Sequence, residues 1–383
     1  MAGELRNFRV EVGEEQLVHL RDRLRATRWP DRETVEDWSQ GVPLAYVEEL
    51  CRYWAEEYDW RRAEAGLNAF PQVVTEINGL DIHAIHARSP EPDALPVIIT
   101  HGWPGSVVEF LKVMGPLSDP VAHGGDAADA FHVVCPSLPG YGFSGKPTST
   151  GWGVGRIASA WSELMARLGY ARYGAQGGDW GSAVTTALGH QDPDHLAGIH
   201  LNMPVVPFGS IDMADMTPGE RAAMDSLADY RRQESGYAKQ QSTRPQTLGY
   251  GLVDSPVAQC AWIVEKFAAW TDGDGHPEHA LTRDEILDNI MLYWLTGSGA
   301  SSARLYWESF GSDLGGGARE PVGVPTGCSI YPKEIIRISR RWAEHGFSDI
   351  RYWNELDRGG HFAAFEQPEL FVDELRSFFR LVR

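Results

Sequence analysis

The spacing of apolar positions changes twice along the chain. Over residues 1–75 it is helical. "EEQLVHLRDRLRATRWP" puts Leu17, Leu20 and Leu24 on one face and stops at Pro30, and "LAYVEELCRYWAEEYDWRRAEAGLNAF" continues the pattern with many aromatics. From about residue 72 the period shortens. "VVTEINGLDIHAIHAR" reads as two strands about an Asn78-Gly79 turn, a strong hairpin signal. "LPVIIT", "FHVVCPSL", "GYARYGAQ" and "LAGIHLN" are then short apolar runs, alternating with helix-like stretches such as "SAVTTALGH". That alternation predicts a mostly parallel sheet with helices on both faces.

Between about 205 and 315 the rhythm breaks. "TPGERAAMDSLADYRRQESGYAKQQS" and "SPVAQCAWIVEKFAAW" are helical, and "TRDEILDNIMLYWLTGS" opens with a capping-box pair, Thr282 and Glu285. The block reads as a helical lid inserted into the sheet domain. "PVGVPTGCSI" and "IRYWNEL" resume the strands, and "PELFVDELRSFFRLV" ends the chain with Phe371, Leu375, Phe378 and Phe379 on one face. The expected organisation is a helical N-terminal region over 1–75, an α/β core in two parts, 76–204 and 316–383, and a helical lid over 205–315.

Composition adds exclusions. A chain of 383 residues, 43% hydrophobic and with 14 Trp, can bury a large core. Its formal charge of −19 and lack of a long basic run argue against nucleic acid or anionic membranes as partners. Cys51, Cys135, Cys260 and Cys328 are far apart, without C-x-x-C or zinc spacing, so neither a disulfide framework nor a metal site is expected. "MAGELRNFRV" lacks the apolar segment of a signal peptide, and no run approaches the ~18 apolar residues of a membrane span. The expectation is a cytoplasmic protein with no membrane anchor and no cofactor.

The candidate chemistry starts at "AQGGDWGSAV". Gly177 and Gly181 flank Asp179 two positions to either side, as in the strand-to-helix turn that exposes a hydrolase nucleophile. A helix start there favours an ionised carboxylate. Alone, such a motif more often marks only a polar turn. "THGWPGS" follows the strand "PVIIT", and Gly102, Pro104 and Gly105 force a turn whose backbone N–H groups, with that of Trp180, are suited to an oxyanion hole. His101 reads as a structural histidine bonding the loop backbone. His361, in "RGGHFAAFEQPELF", comes last in chain order, where the base of such a hydrolase belongs. Asp313, Glu334 and Asp357 are the candidate acids to orient it; placement just past a strand favours Glu334.

An aspartate nucleophile attacks carbon directly and forms an alkyl ester. A histidine then activates water against that ester. Attack at saturated carbon needs a leaving group, an epoxide oxygen or a halide. Tyrosine hydroxyls, with a reference pKa of about 10, suit the epoxide oxygen.

Together "HGWPGS", "PSLPGYGFSGKP", "GGDWGS", "ESGYAKQQSTRPQTLGYGLVDSPVAQCAWIVEKFAAWTD", "NIMLYWLTGS" and "RGGHFAAFEQPEL", with the opening "FRVEVGEEQLVHLRDRLRATRWPD", resemble the microsomal-type epoxide hydrolases of the α/β-hydrolase superfamily. The resemblance covers nearly the whole chain. It implies Asp179 as nucleophile, His361 as base and Glu334 as charge-relay acid. It implies Tyr237 and Tyr306 as lid tyrosines that hydrogen-bond the epoxide oxygen, and the Trp103 and Trp180 N–H groups as the oxyanion hole. Membrane-bound members carry an apolar anchor ahead of this region, so the chain looks like a soluble, bacterial-like relative. Tyr250, Trp262, Trp270 and Trp294 in the lid suggest a bulky apolar or aromatic epoxide, from a xenobiotic or a natural-product pathway. The extra helical surface would permit a homodimer. The rival readings are a haloalkane dehalogenase and a non-catalytic ligand-binding relative.

Overall fold

The computed structural model describes residues 3–206, 214–310 and 320–383. Its strands are β1 (Arg6–Phe8), β2 (Gln72–Ile77), β3 (Leu80–Ala87), β4 (Leu95–Thr100), β5 (Phe131–Pro136), β6 (Tyr173–Gly177), β7 (Leu196–Leu201), β8 (Thr326–Ile330) and β9 (Ile350–Glu355). They form one nine-stranded sheet in the order β1-β2-β3-β5-β4-β6-β7-β8-β9. β1, β2 and β3 meet their neighbours antiparallel, and β5 through β9 run parallel. The β2–β3 turn has φ of 53° at Asn78 and 79° at Gly79, the double positive φ that matches the twist of a two-residue hairpin.

The expected helical character of residues 1–75 needs correction at both ends. β1 lies inside that region, and β2 begins at Gln72. A three-residue edge strand is too short for its period to register in sequence. The helices there are α1 (Glu14–Arg25), α2 (Leu44–Glu56) and α3 (Trp60–Leu67). α1 stops short of Pro30, and the aromatic-rich run divides at Asp59, whose side chain accepts the Arg61 N–H and caps α3.

In the first part of the core, α4 (Leu111–Ser118), α5 (Val154–Arg167) and α6 (Asp179–Gln191) alternate with the strands. The lid comprises α7 (Pro218–Asp229), α8 (Gly236–Thr243), α9 (Pro245–Asp254), α10 (Pro256–Trp270), α11 (Arg283–Thr296) and α12 (Gly299–Ser309). The Thr282–Glu285 capping box forms at the start of α11. The chain ends with α13 (Arg340–Ala343), α14 (Ala363–Glu366) and α15 (Pro368–Phe379). α4 packs against α15 and α5 against α6, covering the sheet from both faces. Phe371, Leu375, Phe378 and Phe379 are buried, as the spacing predicts.

The N-terminal helices clasp the lid. Tyr58 donates to Asp288 of α11 at 2.7 Å, Arg62 pairs with the same carboxylate at 2.7 Å, and the Trp54 indole donates to the Met291 sulfur. Among the described residues no helix is long and apolar enough to cross a membrane. All four cysteines are buried thiols.

Candidate active site

β6 lies between β4 and β7, so the turn at its carboxyl end opens at the middle of the sheet. Open α/β sheets bind ligands at this edge. Asp179 adopts φ +49°, a left-handed conformation that costs an ordinary residue of order 1–3 kcal/mol. Packing enforces it. A Cβ at Gly177 would overlap the Gly181 carbonyl, and one at Gly181 would overlap the Thr100 carbonyl. The two glycines let the strand, the turn and α6 approach until Asp179 projects from the tip.

The carboxylate oxygens of Asp179 have different partners. Oδ1 accepts the Trp103 N–H at 2.8 Å, and Oδ2 lies 3.4 Å from His361 Nε2. Trp180 follows in the first turn of α6, whose opening N–H groups have no acceptor within the helix. The Trp180 ring packs edge-on to Tyr306 at 4.8 Å. His101 fulfils the structural reading. Its Nε2 accepts the Leu138 N–H at 3.2 Å, so Nδ1 carries the proton and donates to the Gly102 carbonyl at 2.9 Å. Burial holds its pKa near 4.

His361 Nδ1 lies 2.6 Å from Glu334 Oε1, which also accepts the Ile335 N–H at 2.7 Å. The two loops meet because the Lys333 N–H donates to the Gly359 carbonyl at 3.2 Å. The lid secures them from above: the His361 N–H donates to the Trp270 carbonyl at 2.9 Å, and the Gly359 N–H to Asp272 at 2.9 Å. Of the other candidate acids, Asp357 points into solvent beside Arg358, and Asp313 lies outside the described residues. Burial alone would push the imidazole down. The Glu334 and Asp179 carboxylates on either side outweigh it and raise His361 well above the ordinary histidine value.

Tyr237 of α8 and Tyr306 of α12 are both buried, their rings 5.7 Å apart and nearly perpendicular. The Trp103 ring stacks on Tyr237 at 4.7 Å. The Tyr306 hydroxyl has no protein partner, whereas that of Tyr237 meets the Tyr230 hydroxyl at 3.0 Å. Burial raises both phenols well above 10, so both present an O–H rather than a phenolate. The structure therefore brings Asp179, His361, Glu334, Tyr237, Tyr306, Trp103 and Trp180 to one place.

The reading of the lid aromatics needs correction. Tyr250 is exposed on the outer surface, and the Trp262 indole is occupied by Gln241 at 3.0 Å. Trp270 does stand at the site, 5.2 Å from Tyr237 and 5.1 Å from His361. Sequence reasoning missed Tyr230, which carries no motif. It also missed the anchors of the "HGWPGS" loop. Ser106 donates to Asn289 at 2.7 Å, Asn289 to the Pro104 carbonyl at 2.8 Å, and Tyr293 to the Gly105 carbonyl at 2.7 Å. Asn289 and Tyr293 sit four apart on α11, a spacing that puts polar groups together on an otherwise apolar face.

Comparison with known proteins gives concordant results. Residues 5–110 match a family model described as the epoxide hydrolase N terminus, and residues 96–251 match the alpha/beta hydrolase fold. A protein from Stigmatella aurantiaca is 58% identical over 98% of this chain and 85% of its own length. Epoxide hydrolase 1 of Sus scrofa is 36% identical over 99% of this chain and 89% of its own. The solved structure of Aspergillus niger epoxide hydrolase superposes with a TM-score of 0.89 at 32% identity, covering 100% of this chain and 98% of that one.

Proposed function

The chain belongs to the epoxide hydrolase family of the α/β-hydrolase superfamily, and from that premise we propose that Asp179 opens the epoxide and that His361 and Glu334 drive release of a vicinal diol. Asp179 Oδ2 attacks one ring carbon while Oδ1 stays on the Trp103 N–H. The C–O bond of the ring breaks, and the departing oxygen takes hydrogen bonds and then a proton from Tyr237 and Tyr306. Phenols held above their ordinary pKa keep their protons until an alkoxide, the stronger base, arrives.

Once Asp179 is esterified it carries no charge. One of the carboxylates that hold the proton on His361 is gone, and the imidazole is freer to act as a base. A water gives its proton to Nε2, and its oxygen bonds to the ester carbonyl carbon. The negative charge develops on Oδ1, with the Trp103 N–H and the neighbouring Trp180 N–H to receive it. The acyl–oxygen bond then breaks. The diol leaves with the proton from His361; Asp179, released as the acid, gives up its proton, which restores the tyrosine that had protonated the ring oxygen, and the carboxylate is regenerated.

The observation that carries this reading is the division of labour at Asp179, with Oδ1 on an amide and Oδ2 facing a histidine paired to Glu334. A cluster of Trp103, Trp180, Trp270 and Phe310 around the tyrosines supports a bulky apolar or aromatic epoxide as substrate. A cytoplasmic setting fits cysteines kept as buried thiols. Family membership disfavours a non-catalytic binder, and hydroxyl donors at the site disfavour a dehalogenase.

The test is a single turnover in 18O water. The first diol should contain no label, because its new oxygen comes from Asp179, and the label should appear in the Asp179 peptide. Label in the first diol would exclude the ester route.

A further inference from the structure

The reaction above needs a place for the attacking water, and the structure offers one beneath the nucleophile. A cavity of about 20 Å³ is lined by Asp179, His361, Glu109, Gln176 and Asn202 among others. One water needs roughly 10–15 Å³ on this measure, together with two to four polar partners. The lining comes from the core alone, so this space is separate from the region beneath the lid tyrosines where the epoxide oxygen must sit.

Two of the lining residues have polar groups that the mechanism so far leaves unused. Gln176 is buried, and its Oε1 has no hydrogen-bond donor. Glu109 follows the "HGWPGS" loop in a short 3₁₀ turn (Val107–Phe110) and is also buried. Its carboxyl folds back over Gly105, where a Cβ would overlap Glu109 Oε1. The glycine in that loop therefore makes room for the carboxyl. Burial lifts Glu109 to about 8, with the His361 charge opposing and the Asp179 charge adding to the effect. Glu109 thus senses both reacting side chains.

We propose that Glu109 seats the hydrolytic water, its carboxyl oxygen accepting one hydrogen of a water whose other hydrogen points to His361 Nε2. This rests on the ester mechanism proposed above. Held by both groups, the water presents a lone pair to the ester carbonyl carbon. Attack sends one proton to His361 and leaves the Glu109 contact in place, so the step balances without any further reactant. Gln176 Oε1 is a second acceptor that keeps the site wet when the first water is consumed. Fixing an attacking group in this way contributes most to the step in which it reacts, and little to the step before.

The experiment compares Glu109→Leu, Glu109→Gln, His361→Gln and the unaltered enzyme with styrene oxide in rapid-quench single turnovers, following the ester on the Asp179 peptide by mass spectrometry. The expected result for Glu109→Leu is ester formation within about threefold of the unaltered enzyme and ester hydrolysis slowed by about 10–100-fold, an effect of lost positioning. Glu109→Gln keeps an acceptor oxygen and should restore most of the hydrolysis rate. Normal ester formation shows that the variant is folded around its nucleophile. Hydrolysis at the unaltered rate in Glu109→Leu overturns the proposal, and so does an equal slowing of both steps, the mark of a merely structural role. If His361→Gln accumulates no ester, it is the ester mechanism itself that fails, an outcome distinct from failure of Glu109.

Discussion

The Trp103 amide donates a 2.8 Å hydrogen bond to Oδ1 of Asp179, which leaves the other carboxylate oxygen free to face the histidine. In the mechanism we propose, a symmetric carboxylate is thereby divided into a carbonyl-like oxygen and an attacking oxygen before any substrate binds. The proposed mechanism separates ring opening from ester hydrolysis, and each step has its own groups to test.

Replacing His361 by Gln should spare the first step and stop the second. Ester formation should persist, and turnover should fall by about 10²–10⁴-fold, the usual worth of a general base. The measurement is accumulation of alkylated Asp179 by mass spectrometry. Sustained multiple turnover by the variant would refute the role given to His361.

The lid tyrosines should behave in the opposite way. Tyr237→Phe and Tyr306→Phe should each slow ester formation by roughly 10²-fold, as loss of one preorganised donor does, and leave hydrolysis of a preformed ester unchanged. The double variant should lose far more than either alone. Rapid-quench rates for the two steps decide it.

Glu334→Gln should shift a pH profile as well as lower a rate. The Glu334 charge is the leading influence that raises His361, so removing it lowers the histidine pKa. In the proposed mechanism hydrolysis requires neutral imidazole. Its acid limb should therefore move to lower pH, while the plateau drops because an oriented ionic partner has been lost. Single-turnover hydrolysis measured from pH 5 to 10 would show both; an acid limb that moved upward would contradict the pairing.

Glu109 makes a prediction about stability. Its folded-state pKa is raised to about 8 from an ordinary value of 4.5. For a raised group the stabilising contribution is complete below the unfolded value and is lost as pH climbs through the folded one. Glu109→Gln removes that titration. Relative to the unaltered protein, its stability should therefore improve by about 1.4 kcal/mol per pH unit between those two values and level off above them. Urea unfolding at several pH values reads this out; a pH-independent difference would show that Glu109 ionises normally.

Gly181→Ala tests the turn itself. The added methyl meets the Thr100 carbonyl of the neighbouring strand, which cannot move aside without breaking the sheet. The expected cost is on the order of 3–5 kcal/mol, in the range reserved for backbone and packing violations. Thermal unfolding measures it, and an unchanged Tm would mean the strand and helix are less tightly apposed than described.

The readability of the site followed from local chemistry. Gly177, Asp179 and Gly181 declare a turn because only small residues fit where strand and helix nearly touch. Asn78-Gly79 declares a hairpin because its backbone needs positive φ. The Thr282–Glu285 cap and the apolar face of α15 are set within a few residues, so they too could be read directly. β1 could not, since three edge residues have no period of their own. Nor could the fate of Tyr250 and Trp270. Both are aromatics in helical lid segments, and only the docking of those helices puts one in solvent and the other beside His361.

By itself, then, the sequence determined most of the strands and helices, where the Gly177–Gly181 turn lies and which residue types could do chemistry there, because those depend on neighbours a few positions away. Tertiary structure alone decided that Trp270 stands beside His361, that Tyr230 meets Tyr237, and that Glu109 folds over Gly105. Each of these is a contact between side chains brought together by packing, and a carboxylate or hydroxyl takes its charge and its role from the burial and partners it finds there.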